Sequence, residues 1–296
     1  MFGPNVRSSI RFHIDYHHRQ EKFFSIYENI LRRLRSTFLI DDSFEIVIVT
    51  GSGTAAIETV ISSYRGAFRV GGADGTFRNR WIDLAKHYHK LDDRGDLIIV
   101  QLETSKSILN DTGDEEPFFV DGISSFPYYE IPAKAKIFVT VSSKILGAAP
   151  VLGIIVFKKS LVDRFIPADD FTYFNMNRLL NYGRERQTPH TPAIPLFADL
   201  LAKLEHFDLP KTRARIDRHS EILVDAFGEE NFIGQRRCPV LTLRDPDVLP
   251  SWILEKYSIY GQWPFGNAKK NPQIFTYSEK TRSYERLARD LKKIRH

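Results

Sequence analysis

The chain is poor in sulfur. Of its 296 residues one is cysteine, Cys238, and two are methionine. A single thiol excludes an internal disulfide and a cysteine-based metal cluster, and no metal site is expected. Long apolar runs are missing as well. The longest stretch, Ile145 to Phe157, is interrupted by Gly147, Pro150 and Gly153 and is too short to span a bilayer. Nor is there a strong charge of either sign: Lys plus Arg is 42 and Asp plus Glu is 37, a net +5. That excess permits a phosphate-bearing partner or a polyanion without demanding one. The opening MFGPNVRSSIRF holds no apolar stretch of the kind a secretory leader needs. These absences predict no membrane association and a reduced, cytoplasmic location (the host cytoplasm, if the source is viral).

What is present is an ordinary globular composition, 42% apolar and 27% charged, over a length that allows roughly two domains or one large α/β unit. Phe24, Tyr27, Ile30, Leu31 and Leu34 recur at helical spacing between Phe23 and Leu39, with Arg32, Arg33 and Arg35 left for the wet face. The β-branched run Phe44 to Val49 predicts a buried strand that ends at Gly51, with a helix following from Thr54 to Tyr64. Further strands are expected at Ala67 to Val70, Leu97 to Leu102, Phe118 to Asp121, Lys136 to Val141 and Leu152 to Phe157, and a helix over Arg80 to His89. Strands that alternate with helices or crossovers predict an α/β fold with a mostly parallel sheet, whose ligand sits beyond the strand C-termini. Four polar clusters fall at those ends: Gly51–Thr54, Glu103–Ser105, Asp121–Ser125 and Ser142–Lys144. The Pro-rich joint Thr188 to Pro195 divides the expected domains, a large one over residues 20–187 and a smaller α+β one from 1–19 and 188–296, ending in the basic helix Tyr284 to Ile294.

Two constellations carry chemistry. Thr50-Gly-Ser-Gly-Thr54, between a strand and a helix, offers free N–H groups and the positive end of a helix dipole, which suits a phosphate. It lacks the lysine of a Walker A loop but satisfies G-x-G-x-x-A, with Asp74 21 residues after Gly53, so an NAD-binding dehydrogenase is one reading. A tight turn capped by Ser or Thr is the plainer one. Asp121 and Lys144 each end a predicted strand, 23 residues apart, so neighbouring strands can bring them together. An acid and a lysine beside a phosphate cradle are the parts that pyridoxal 5'-phosphate (PLP) needs: the amine for a Schiff base, the carboxylate to keep the pyridine nitrogen protonated.

At these residues the sequence resembles the class V aminotransferases of PLP-dependent fold type I, nearest in pattern to 2-aminoethylphosphonate:pyruvate and alanine:glyoxylate transaminases. The matching segments run in the family's order: His17-His18-Arg19, Thr50 to Ala55, Gly75 to Trp81, Glu103 to Ser105, Val120 to Phe126, Ser142 to Gly147 and Thr188 to Thr191. The resemblance implies PLP as cofactor, a homodimer, and a small amine or amino acid as substrate. It implies that Ser52, Gly53, Thr54 and Ser143 bind the phosphate, that Phe77 stacks on the ring, and that Ser105 (or Thr104) bonds the 3′ oxygen. Asp121 would hold the ring nitrogen, Lys144 the Schiff base, and Thr188 and Thr191 the phosphate of the neighbouring subunit.

Three departures from the family stand out. The chain is short: a strand and helix before Glu103-Thr-Ser and a helix before Val120-Asp121 are expected to be lost. Arg78 replaces a glycine after the stacking aromatic. The C-terminal segment Gln273-Ile-Phe-Thr-Tyr277 lacks the arginine that clamps a substrate carboxylate in relatives, leaving Arg184, Arg186, Lys269 and Lys270 as candidates in its place. Without that clamp, decarboxylation or elimination on an amino-acid-modified nucleotide or DNA base, as in phage base hypermodification, is an alternative to transamination. Arg32, Arg33, Arg35 and the tail from Arg286 would then be the basic patches that meet nucleic acid.

Overall fold

A computed structural model describes residues 15–111, 118–262 and 269–294. In chain order the first part runs α1 (Glu21–Phe38), β1 (Phe44–Thr50), α2 (Gly53–Ser63), β2 (Phe68–Val70), α3 (Thr76–His87), β3 (Leu97–Gln101), β4 (Phe118–Asp121), β5 (Ala135–Val141), β6 (Leu152–Lys158), α4 (Met176–Arg184) and α5 (Ile194–Glu205). The remainder runs α6 (Leu209–Phe227), β7 (Phe232–Ile233), β8 (Val240–Leu243), α7 (Ser251–Tyr257), β9 (Tyr260–Gln262), β10 (Lys269–Phe275) and α8 (Thr281–Ile294).

The first six strands form one sheet in the order β1-β6-β5-β4-β3-β2. β2 to β5 are parallel neighbours, whereas β6 runs antiparallel to both β5 and β1. The α/β, mostly parallel architecture expected from the sequence is therefore present, with β6 as the reversed strand. β3 passes to β4 with no helix among the described residues of the connection, as the shortened sequence there predicts.

Strand side chains alternate between two faces, and both faces are covered. Ile46, Ile48, Ile98, Val100, Val120, Phe138, Ile154 and Val156 pack on one side with Phe23, Tyr27, Ile30 and Leu34 of α1 and with Phe197, Leu200 and Leu204 of α5. Val47, Val49, Ile99, Phe119, Ile137, Val139, Ile155 and Phe157 pack on the other with α2, Trp81 of α3, and Leu179 and Leu180 of α4. Runs that are apolar at every position, such as Leu97 to Val100, follow from this double burial.

A second core gathers Leu223, Phe227, Leu241, Leu243, Ile253, Ile274, Tyr284, Leu287 and Leu291. It lies under a four-stranded antiparallel sheet of order β7-β8-β10-β9. α5 follows the Pro-rich joint yet packs on α1, Phe197 meeting Phe23 at 5.3 Å between ring centroids. We therefore propose that the domain division lies near Asp208, which caps α6 through Lys211 N–H (2.9 Å), and not at residue 188. Among the described residues no helix is long and apolar enough to cross a membrane.

Candidate active site

Every strand that runs in the common direction of the sheet delivers its C-terminus to the same edge, and four of the loops there carry the expected polar clusters. β1 ends at Gly51-Ser52. Ser52 caps α2, its hydroxyl accepting from Ala55 N–H at 3.3 Å. Gly53 opens the helix and is buried against the loop after β4 and the end of β5. A Cβ there would stand 2.5 Å from Ile123 Cδ1 and 3.1 Å from Val141 Cγ1. Thr54 Oγ1 accepts from the Arg80 guanidinium at 3.4 Å. The N-terminal turn of α2 is thus held tightly against the ends of β4 and β5 while Ser52 stays exposed.

Asp121, the last residue of β4, is buried. One carboxyl oxygen accepts the Trp81 indole N–H (3.1 Å) and the other the Ile123 backbone N–H (3.0 Å). A buried indole N–H needs an acceptor, and Asp121 supplies it. Burial pushes the carboxyl up to about 6, against the pull of those two donors and of Lys144. The next residue, Gly122, leaves no room for a side chain: a Cβ would lie 2.2 Å from the Phe138 ring. Gly122→Ala is expected to destabilise the apo protein by about 1–3 kcal/mol through overpacking, measured by urea unfolding.

Lys144 follows β5 and starts the short 3₁₀ turn Lys144–Leu146 with a left-handed backbone, φ 58°. A non-glycine residue pays about 1–2 kcal/mol for that region, and such strain gathers at functional sites. Its Nζ lies 5.4 Å from the centre of the Phe275 ring, at the end of β10. Burial pushes the amine down to about 8 from the ordinary 10.5, opposed by the Asp121 charge. At pH 7 the neutral fraction is then about one in eleven, roughly 300-fold above that of an ordinary lysine.

Among the other expected residues, Phe77 sits half-buried on the first turn of α3, 6.0 Å from the Trp81 ring. Ser143 is half-buried and its side chain caps no backbone group. After β3, the Thr104 hydroxyl accepts the N–H groups of Lys106 and Ile108 (both 3.2 Å). That leaves Ser105 as the residue of the pair whose hydroxyl is not committed to its own turn. The Ser105 carbonyl accepts from Gln273 Nε2 (2.5 Å) and Thr242 Oγ1 (3.0 Å), tying this loop to the second sheet. Glu103 is fully buried beside Cys238 and lies well above the usual carboxylate range because of that burial. Thr188 is buried and donates to the His190 carbonyl (2.8 Å), whereas Thr191 is exposed. The His190 ring stacks on Tyr173 at 4.0 Å, and the Tyr173 hydroxyl donates to the Thr50 carbonyl (3.5 Å), which brings the joint to the rim of the cradle.

The structure also sorts the remaining charges. Arg184 pairs with Glu45 (2.8 Å), and Arg186 with Glu21 (3.1 Å) and Glu28 (3.5 Å), so both serve the α1–β1 surface. The side chains of Lys269 and Lys270 lie outside the described residues. Thr276, in the segment without arginine, donates to the Cys238 carbonyl (2.8 Å). Arg35 donates to the carbonyls of Asp41 (2.9 Å) and Phe44 (2.8 Å), a structural use. Asp74 is taken by Arg78 (2.9 Å) on the surface. The dinucleotide reading fails on topology: it needs the first two strands side by side, and β1 and β2 occupy opposite edges of the sheet. Trp81, Arg80 and Tyr173 were not singled out by the sequence; the indole of Trp81, inside the Gly75–Trp81 motif, was the one signal available.

Comparison with solved structures places this arrangement in the aminotransferase fold. The chain is similar to an aspartate aminotransferase of subgroup IV from Thermus thermophilus, with TM-score 0.82, 20% identity, and coverage of 99% of this chain and 97% of that one. It is equally similar to alanine–glyoxylate aminotransferase from Nostoc sp. (TM-score 0.82, 18% identity, 99% and 94% covered). A third match is pyridoxamine–pyruvate aminotransferase from Mesorhizobium loti (TM-score 0.75, 16% identity, 99% and 91% covered). No protein-family model matches the chain. No curated protein matches its sequence.

Proposed function

We propose that the protein is a PLP-dependent aminotransferase acting on a small amine or amino acid. The observation that carries this is the pair Asp121 and Lys144: a buried carboxylate fixed by two donors and a half-buried, strained lysine of lowered basicity, at the ends of adjacent parallel strands. The likeness in fold to three aminotransferases supports it. When bound, PLP supplies the electron sink for bond breaking at the substrate's Cα. In this reading Ser52, Gly53, Thr54 and Ser143 hold the phosphate, with the N-terminal dipole of α2 behind them. Phe77 covers the ring and Ser105 bonds the 3′ oxygen. Asp121 keeps the ring nitrogen protonated. Lys144 binds the cofactor aldehyde and, once released by substrate, carries a proton at Nζ between Cα and C4′.

The reading includes a homodimer and a cytoplasmic location. The exposed hydroxyl of Thr191 is the better placed of the two joint threonines to meet a neighbouring subunit's phosphate, because that of Thr188 is spent inside its turn. The test is an absorption spectrum with added PLP, before and after borohydride, with peptide mapping of the fixed adduct, followed by a screen of amine donors for conversion of the band. A band fixed on Lys144 and bleached by a donor with release of the carbonyl product is the expected result. No band would overturn the reading.

The pH dependence has a definite sign. The neutral amine is the nucleophile, so capture of PLP by the apo protein should quicken about tenfold per pH unit at low pH. It should level off above about 8, the value to which burial pushes Lys144. Stopped-flow absorbance across pH 6 to 10 checks this; a rate still rising steeply at pH 10 would mean an ordinary lysine.

A further inference from the structure

Arg80 is a cation at the expected phosphate cradle with no acidic partner among the described residues. It lies four residues after Thr76, the first residue of α3, and is exposed. Its Nη1 reaches Thr54 Oγ1 at 3.4 Å, and its guanidinium carbon stands 5.4 Å from the centre of the Phe77 ring. Both contacts are residues expected to touch the cofactor, one at its phosphate and one at its ring. The neighbouring arginine, Arg78, is neutralised by Asp74 at 2.9 Å. Arg80 has no such carboxylate among the described residues.

The charge balance of the cradle asks for such a group. A phosphate monoester carries between about −1.5 and −2 at neutral pH, and a helix N-terminus offers roughly +0.5. Ser52, Thr54 and Ser143 are neutral. Lys144, the other cation nearby, is committed to the cofactor aldehyde in the proposed function. A planar guanidinium donates two parallel N–H groups to two phosphate oxygens, and the Thr54 contact already aims it at the first turn of α2.

We propose that Arg80 is a direct ligand of the cofactor phosphate, supplying most of the charge that the hydroxyls and the helix dipole leave unbalanced. This rests on the PLP reading above. On that basis Arg80 sets how tightly the phosphate end is held, and the Phe77 ring beneath it couples the phosphate anchor to the ring-stacking residue.

The experiment compares PLP with pyridoxal, which has the aldehyde and ring but no phosphate, on wild type, Arg80→Gln and Arg80→Lys. Dissociation constants are read from the absorption band of the protein-bound aldehyde. Arg80→Gln should weaken PLP by about 10- to 100-fold, the range for one charge-assisted contact. Pyridoxal affinity should change less than about twofold, and Arg80→Lys should fall between wild type and the glutamine variant. Because Arg80 is exposed, the melting temperature of the apo variants should match wild type. Equal losses for PLP and pyridoxal would make Arg80 structural and overturn the proposal. So would unchanged PLP affinity with a raised KM for a carboxylate substrate, which would assign Arg80 to the substrate instead. A wild type that forms no band with PLP would remove the underlying reading itself, a failure distinct from wild type binding PLP while Arg80→Gln does so equally well.

Discussion

Lys144→Ala is expected to lose the borohydride-fixed adduct completely and to lower turnover by about 10³-fold or more. Two roles disappear together. In the proposed function the covalent anchor for the cofactor aldehyde goes, and so does the base at Cα, which on its own accounts for about 10² to 10⁴. Residual binding of PLP should survive, because the cradle at Ser52–Thr54 and the Asp121 carboxylate are untouched. The variant should therefore hold PLP in a dialysable form with the spectrum of a free aldehyde. Stability should fall little and is more apt to rise. The wild-type backbone holds Lys144 in a left-handed conformation, which alanine bears no better, but the variant no longer buries a lysine amine whose basicity burial depresses. Lys144→Arg separates charge from chemistry. It keeps a cation near Asp121 and Phe275 and cannot serve as the nucleophile, so it should be as inactive as Lys144→Ala. An arginine variant with more than about a tenth of wild-type turnover would contradict the assigned role.

Much of this was legible in the sequence because the sheet is buried on both faces. Runs such as Ile46 to Val49 and Ile154 to Phe157 are apolar at every position only when helices cover both sides, so they identify a doubly covered sheet without further help. The polar clusters then mark the strand ends, and the site follows from topology. What was not legible depends on pairing between distant segments. Nothing in Leu152 to Lys158 states that β6 runs antiparallel between β1 and β5; that is set by a tight return from β5 through Lys144–Leu146. The position of α5 likewise depends on packing between distant segments. A Pro-rich joint looks like a domain boundary, but Phe197 and Leu200 complete the α1 side of the first core. The Trp81–Asp121 bond joins residues 40 apart and gives no local signal beyond the indole itself. The Arg80–Thr54 contact joins residues 26 apart and has no local signal either.

Asp121→Asn should divide two rates that a merely structural residue would move together. The amide keeps the shape of the carboxyl and can still accept from Trp81 or Ile123, so the β4 loop should hold. It cannot keep a pyridine nitrogen protonated. Turnover should drop by about 10² to 10³, the size of effect seen when one preorganised electrostatic partner is removed. Capture of PLP by the apo protein should behave oppositely. The Asp121 charge supports the ammonium form of Lys144 against burial. Without it the amine falls below about 8, and the capture rate at pH 7 should rise, with its plateau reached at lower pH. Stability gives a third, independent sign. In the wild type the folded-state carboxyl sits at about 6, above its ordinary 3.8. The apo protein binds that proton more tightly folded than unfolded, and loses stability as pH rises from 3.8 towards 6, by up to about 3 kcal/mol. That loss is complete above the folded value. Asp121→Asn has no carboxylate to bury and should lack this fall, so that at neutral pH the variant unfolds at higher urea than the wild type. Slower capture, or a pH-stability profile unchanged from wild type, would show that Asp121 is not the buried ionisable partner of Lys144. Faster capture, slower turnover and a flattened profile in one variant have no common cause other than the loss of that single negative charge.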